Sequence, residues 1–487
     1  MTATDGFIGR RQRELFRVDD ELAFLPAGTG RGGRHAQAPK SAPSNRATMA
    51  WLPLWMALLW LLGTFGAFWL TGLARYVKNP DQLCLFVVGA TALFAAGYAV
   101  QISRRPPSRT VASTDASKRL RLVRHLVLIA AIYYAVRSLA RLWEFGATGP
   151  QSVWASLQNP ATGYANKLDL LAKDVGEVSP LMWTLAVLGV LGTALVPLLA
   201  LYWRSLSFGV RLAGLAGIAL HVAFFLFIGT MKGLGDLVLM MLGGLLIARA
   251  TMRRRRRARS KRRSAVILMS GAFALFLLYM TYIHAARSAE FGVGEYIRPS
   301  PAVSQLVGER AAEGIASTLF YPTHGYLGLS HNLQTPFQWS YGLGSSHSAS
   351  MFGEQALGVD PMDHPAYPYR TEAQSGWPAL MYWATIYPWL ASDLTFPGAA
   401  LFMGFVGWLF ARAWSDAIST RRVLPTLVFT QLCLLVAYVP ANNQLGLSPD
   451  ATAGTATLLA LYAAASLFRR HRPDGQSQTM IHAPSRR

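Results

Sequence analysis

The chain has 487 residues, of which 52% are hydrophobic and 14% charged, where an average soluble protein is about 25% charged. With a mean hydropathy of +0.28, such a chain is not a soluble globular enzyme, a disordered protein or a disulfide scaffold; its two cysteines, Cys84 and Cys433, both lie in apolar runs. The net charge of +22 does not point to nucleic acid, because the basic residues bracket apolar runs of about 20 residues, the length that crosses about 30 Å of hydrocarbon.

Residues 1–48 are polar and rich in Gly and Arg, which predicts a disordered tail. The first apolar run starts too late and is too long for a cleavable signal peptide. Ten spanning helices are expected, at 50–73, 82–102, 122–144, 181–202, 208–229, 231–249, 264–284, 395–414, 424–441 and 451–468. The fold class is therefore an all-α polytopic membrane protein. Its segments are a tail at 1–48, a seven-helix part at 49–284, a large loop at 285–394, three further helices at 395–468 and a second tail at 469–487.

Orientation follows from the rule that cytoplasmic loops collect Lys and Arg. The run from Arg253 to Arg263 belongs in the cytoplasm, and alternation then puts both termini there. On that assignment 35 of the 46 Lys and Arg fall inside and 11 outside, whereas 8 of the 24 acidic residues fall inside and 16 outside. Residues 377–391 are apolar and aromatic but too short to cross. If they did cross, Arg412, Arg421 and Arg422 would lie outside, so a re-entrant or interfacial helix on the outer face is expected. Loop 145–180 is a second, smaller outer loop.

The 285–394 loop carries the chemistry-bearing residues. Apolar positions Val303, Leu306, Val307, Ala311, Ile315 and Leu319 share one helical face, which predicts a helix lying on the membrane surface. Four of the ten histidines sit between 324 and 364, and 14 of the 56 aromatic residues sit between 320 and 389, an enrichment that asks for an explanation. Aromatic rings serve either as headgroup-level anchors in membrane lipid or as stacking faces for sugars, and the Asn, Gln, Ser and His among them favour sugars. Tyr326, Trp339 and Tyr341 are the stacking candidates.

Lys232 and Asp236 stand four apart at the outer end of the sixth span, on one helix face. They make either a structural pair or a charged wall of an outer-facing cavity. Arg137 and Arg141, in the outer half of the third span, either snorkel or join it. Arg298 and Arg370 flank the loop's core, Asp393 stands at the mouth of the eighth span, and Asn442, Asn443 and Gln444 end the ninth. These polar groups share one depth, the outer interface. His221 is expected to be a satisfied interhelical hydrogen bonder. Asp360, Asp363 and His364 are close in sequence but lack convincing metal-ligand spacing, and no metal or other cofactor is expected.

Fixed cations, a base and a sugar platform at a membrane surface suit transfer from a sugar linked to a polyprenyl diphosphate. The leaving diphosphate needs Arg or Lys, and the acceptor hydroxyl needs a base: His324, His347 or Asp393. The stretches His324-Gly-Tyr-Leu-Gly-Leu-Ser and Pro336-Phe-Gln-Trp-Ser-Tyr-Gly-Leu-Gly-Ser-Ser resemble the outer loop of bacterial oligosaccharide repeat-unit polymerases, the group that includes O-antigen polymerases. Gly229-Thr-Met-Lys-Gly-Leu-Gly-Asp, Ala391-Ser-Asp-Leu-Thr-Phe-Pro-Gly and Pro440-Ala-Asn-Asn-Gln resemble further stretches in some members. The resemblance covers roughly 229–445 by motif. It implies polymerisation of polyprenyl-diphosphate-linked oligosaccharide on the outer face of the bacterial cytoplasmic membrane, with flippase and chain-length regulator proteins as partners. It also implies a diphosphate held by Arg298 and Arg370, with Lys232 a less usual partner; Asp236, Asn442 and Asn443 complete the expected binding set. An O-antigen ligase type shares the donor chemistry, and a transporter or flippase of polysaccharide precursors is the alternative from another class.

Overall fold

A computed structural model describes residues 44–104, 116–173, 179–230, 232–251, 298–299, 301–359, 365–379, 382–420 and 422–470. The described residues from Ala47 onward belong to one compact unit. Among the described residues there is no strand, only an isolated bridge between Thr71 and Pro299.

Among the described residues, seven helices are long and apolar enough to cross a membrane. They lie within α1 (Ser44–Trp69), α2 (Pro80–Arg104), α3 (Ala116–Glu144), α8 (Phe208–Phe227), α9 (Lys232–Thr251), α15 (Tyr387–Thr420) and α17 (Pro449–Arg470). Between α3 and α8 come α4 (Pro150–Gln158), α5 (Pro160–Lys173), α6 (Pro180–Val187) and α7 (Leu195–Tyr202). A shorter apolar helix, α16 (Val423–Tyr438), fits between α15 and α17. The remaining helices belong to the large loop: α10 (Pro301–Val307), α11 (Glu309–Thr323), α12 (Gly325–Gln334), α13 (His347–Leu357) and α14 (Tyr367–Ser375). The expected span at 264–284 lies outside the described residues, as do Asp360, Asp363 and His364.

Three expectations about individual elements are corrected. The fourth span is not one rod: α6 and the stretch Gly189–Ser205 meet at 60°. Gly189–Thr193 winds as a 3-10 turn there. Hydropathy runs unbroken through Leu188-Gly-Val-Leu-Gly-Thr, but its two glycines weaken the helix. Residues 377–391 are not one re-entrant or interfacial helix: only Tyr387–Ala391 are helical, and a kink at Thr395 (φ 63°) sets that short helix off from the rest of α15. The described part of 376–386 is irregular, and the helix starts at Tyr387. The amides of Thr385 and Ile386 donate instead to the carbonyls of Ala441 (2.9 Å) and Val439 (3.1 Å). The expected surface helix over 301–320 is cut in two by Gly308, whose φ of 82° no helix accepts.

Close helix crossings organise the bundle. On α2, a Cβ at Gly97 would lie 1.9 Å from the Gly404 carbonyl oxygen of α15. One turn away a Cβ at Gly407 would meet the Phe94 carbonyl at 2.0 Å. Small residues at such crossings let backbones touch where lipid offers no hydrophobic drive. Gly407→Val is expected to cost about 1–3 kcal/mol by overpacking, read as a lower melting temperature in detergent; an unchanged melt would deny that α2 and α15 touch there.

The loop helix α12 is pinned to the bundle rather than resting on it. The Tyr326 hydroxyl meets Thr64 Oγ1 at 3.0 Å, its ring packs between Phe65 and Phe68, and Ser330 Oγ donates to Asn79 Oδ1.

Candidate functional site

At one end of the bundle the ends of α3, α8, α9, α16 and α17 surround a cavity of about 120 Å³, with Gly189, Gly192 and Thr193 of the broken helix as one wall. A water needs about 10–15 Å³, so there is room for several waters or one small anionic group. The helix break is fixed from across the cavity. A Cβ at Gly189 would lie 2.1 Å from the Asp450 carbonyl oxygen, and a Cβ at Gly454 would lie 2.5 Å from the carbonyl of Gly189.

Four charges line this space. Arg137 Nε on α3 meets Asp450 Oδ2 in the first turn of α17 at 2.8 Å, and both side chains are largely buried. Asp236 on α9 accepts from Gln444 Nε2 (2.8 Å) and from the Tyr438 hydroxyl. Its Oδ1 is buried and has no hydrogen-bond partner among the described residues. Lys232, one turn earlier, makes no hydrogen bond or ion pair among the described residues. His221 Nδ1 and Thr455 Oγ1 also face this space unpartnered. A buried polar group without a partner costs about 1–3 kcal/mol, so several at one cavity describe a surface shaped for something else. His221 is thus not the satisfied hydrogen bonder expected of it: its ring packs at 4.9 Å from both Tyr134 and Phe225.

The other expected site residues divide sharply. Asn443 Nδ2 donates to the Ser345 carbonyl at 2.9 Å, fastening the large loop beside Gln444, and the Asn442 side chain accepts from the Asn443 amide. His347 opens α13, hydrogen-bonded through Nδ1 to the Tyr369 hydroxyl at 2.7 Å. Burial, and then the charge of Lys232, push it down to about 4. His324 is packed flat between Phe320 and Trp383 with Nδ1 on the Phe320 carbonyl, and burial takes it to about 4 as well. Tyr326 is core. Arg298 is exposed and does not line the cavity.

Asp393 and Arg370 serve one loop. Asp393 Oδ1 accepts from Ser340 Oγ (2.6 Å) and the Gly342 amide (2.8 Å). Arg370 donates to the carbonyls of Pro365, Pro336 and Gln338 and lies 4.4 Å over the Tyr367 ring. Trp339 and Tyr341 project from that loop, 52% and 59% exposed.

The sequence matches no family model, no curated protein and no solved structure. No group of three His, Cys, Asp or Glu side chains among the described residues is placed to hold a metal.

Asp450 and Tyr438 went unnoticed in the sequence. An acidic residue in the first turn of an apolar span, at the depth of Arg137, was the available signal for the first. Nothing local marks Tyr438.

The two low histidines carry a pH dependence. Their neutral forms are favoured in the fold, so protonation opposes folding. Stability is full above the unfolded value of about 6.5 and is lost as pH falls toward 4. Melting temperature in detergent should drop across that window, and His347→Asn should flatten the drop; an identical pH profile for the variant would contradict the burial of His347.

Proposed function

We propose that the chain is a multi-pass membrane glycosyltransferase that joins polyprenyl-diphosphate-linked oligosaccharide repeat units on the outer face of the bacterial cytoplasmic membrane. The observation that carries the proposal is that one cavity holds the Lys232 ammonium and Asp236 Oδ1, neither of which has a hydrogen-bond partner among the described residues. The five sequence stretches that resemble the polymerases also contact one another: Gly325 packs on the Pro440 carbonyl, Asn443 holds Ser345, Gln444 holds Asp236, and Asp393 holds Ser340 and Gly342. Helix α9 runs from the cavity to Thr251 and the basic run beyond it. Positive charge on the cytoplasmic side therefore turns the cavity outward.

The roles follow from charge. Lys232 stabilises the diphosphate as it leaves with the electron pair of the C1–O bond. Asp236 takes the proton of the acceptor hydroxyl as that oxygen bonds to C1. The Arg137–Asp450 pair adds a fixed dipole to the same wall. Asp236 replaces His324, His347 and Asp393 as the base because His324 is enclosed by aromatic rings, His347 is engaged by Tyr369, and Asp393, whose Oδ2 is likewise buried without a partner among the described residues, does not line the cavity.

The test is reconstitution in lipid nanodiscs with lipid-linked repeat units extracted from the host. A ladder of lengthening chains is expected. Folded protein that leaves the units unjoined would overturn the proposal. A second reading rests on the broken helix, since interrupted spans beside a charged cavity also mark transporters. Movement of the lipid-linked unit across sealed vesicles without chain growth would favour it.

A further inference from the structure

We infer that Trp339 and Tyr341 form a stacking platform for a glycan, and that Arg370 and Asp393 are positioning residues that hold this platform beside the cavity. The choice of ligand rests on the glycan-transfer reading; the geometry stands by itself.

Residues 336–342 form a tongue without helix or strand, yet its backbone is fixed on both sides. On one side the Arg370 fork takes the carbonyls of Pro336 (2.6 Å) and Gln338 (3.5 Å). On the other, Asp393 Oδ1 takes the Ser340 hydroxyl and the Gly342 amide, and the Ser340 amide donates to the Ser392 carbonyl at 3.3 Å. Two charged side chains from α14 and α15 thus each place two hydrogen bonds on a seven-residue segment. Tyr341 is held at φ 51°, a backbone region that a bulky residue seldom occupies. The outcome is two rings 4.5 Å apart at 39°, each more than half exposed.

A lipid anchor does not require such fixing. The described residues already include seven helices apolar enough to cross a membrane, and one more interfacial pair adds little to their hold. Preorganised rings instead favour a ligand that must be met in one orientation, because rigid aromatic faces lose little entropy on binding. Sugars present flat C–H faces for such rings and hydroxyls for the polar groups around them.

The platform is also tied to the cavity. Ser345 stands four positions after Tyr341, a span of at most about 14 Å. The Ser345 carbonyl accepts from Asn443, and the next residue, Gln444, holds Asp236. A saccharide whose anionic end lies at Lys232 can therefore extend its sugars over Trp339 and Tyr341.

The test uses full-length protein in nanodiscs and, as probe, the free oligosaccharide released by mild acid from the host's lipid-linked pool. Calorimetric titration should show binding to the wild type. Trp339→Ala and Tyr341→Asn, the latter chosen because Asn tolerates positive φ, should each weaken it about tenfold. For the positioning role, a nitroxide at residue 339 in protein lacking Cys84 and Cys433 should gain mobility in Arg370→Ala and in Asp393→Ala. Arg370→Lys should not restore order, because a single ammonium cannot span two carbonyls. Absence of binding by the wild type, or binding unchanged in both ring variants, overturns the platform. A nitroxide at 339 that oxygen reaches as it reaches hydrocarbon makes the rings a membrane anchor and overturns it as well. The two proposals fail separately: an oligosaccharide that binds through Trp339 without any chain growth removes the transferase, while chain growth with unaltered binding in the ring variants removes the platform.

Discussion

Asp236→Asn is expected to slow chain growth by about 10²–10⁴-fold, the usual loss when a positioned general base is removed. The substitution keeps the shape of the side chain and retains an acceptor for Gln444 Nε2 and the Tyr438 hydroxyl, so the wall of the cavity should stand. What it removes is the negative charge and the proton-accepting oxygen at Oδ1. The comparison that isolates chemistry from folding is the initial rate of ladder formation against the melting temperature of the same preparation. A rate within threefold of wild type, in protein that melts normally, would take Asp236 out of the reaction. Lys232→Met is the companion: it removes the cation while keeping a side chain of similar length at the cavity. If Lys232 stabilises the departing diphosphate, its loss should reduce the rate of transfer at saturating donor as well as donor affinity, because the charge it meets grows as the bond breaks.

The spans were legible because lipid imposes a strict pattern: each must be apolar, about 20 residues long and fully helical. The charges of α9 were legible for the same reason, since Lys232 and Asp236 stand out at the head of an apolar helix. What the sequence hid was every relation that depends on a distant partner. Asp450 answers Arg137 across 313 positions, and Gln444 answers Asp236 across 208. No periodicity reports such pairs. The break at 188–194 was hidden because hydropathy averages over a kink that two glycines and the facing backbone of α17 create. Arg370 and Asp393 looked like ligand-binding charges because composition shows a charge but not what it bonds; here each bonds the backbone of its own loop. Tyr326 looked like a sugar platform for the same reason, and a hydroxyl on α1 explains its burial. Trp339 and Tyr341 differ from it in being more than half exposed, which a sequence does not display.

Arg137→Gln and Asp450→Asn are each expected to cost about 3–5 kcal/mol, the penalty for leaving one member of a buried ion pair alone. In a chain of this kind that loss is comparable to a large part of the whole stability, so both variants should be recovered from membranes in much reduced folded amount. The pair itself need not be a strong source of stability, because removing two charges from water offsets most of their attraction. The double variant therefore separates the two cases. Arg137→Gln with Asp450→Asn replaces two charges by two amides able to hydrogen-bond across the same gap, and it should recover most of the melting temperature lost by either single variant. The measurement is a double-mutant cycle on thermal stability in detergent, with a coupling of at least about 1 kcal/mol expected for groups in direct contact. Additive losses would mean that the two residues do not meet. If the double variant folds but joins repeat units poorly, the Arg137–Asp450 pair matters to the reaction through its field at the cavity wall rather than through the fold, since Gly189 and Gly454 hold the backbone of α17 against the broken helix without it.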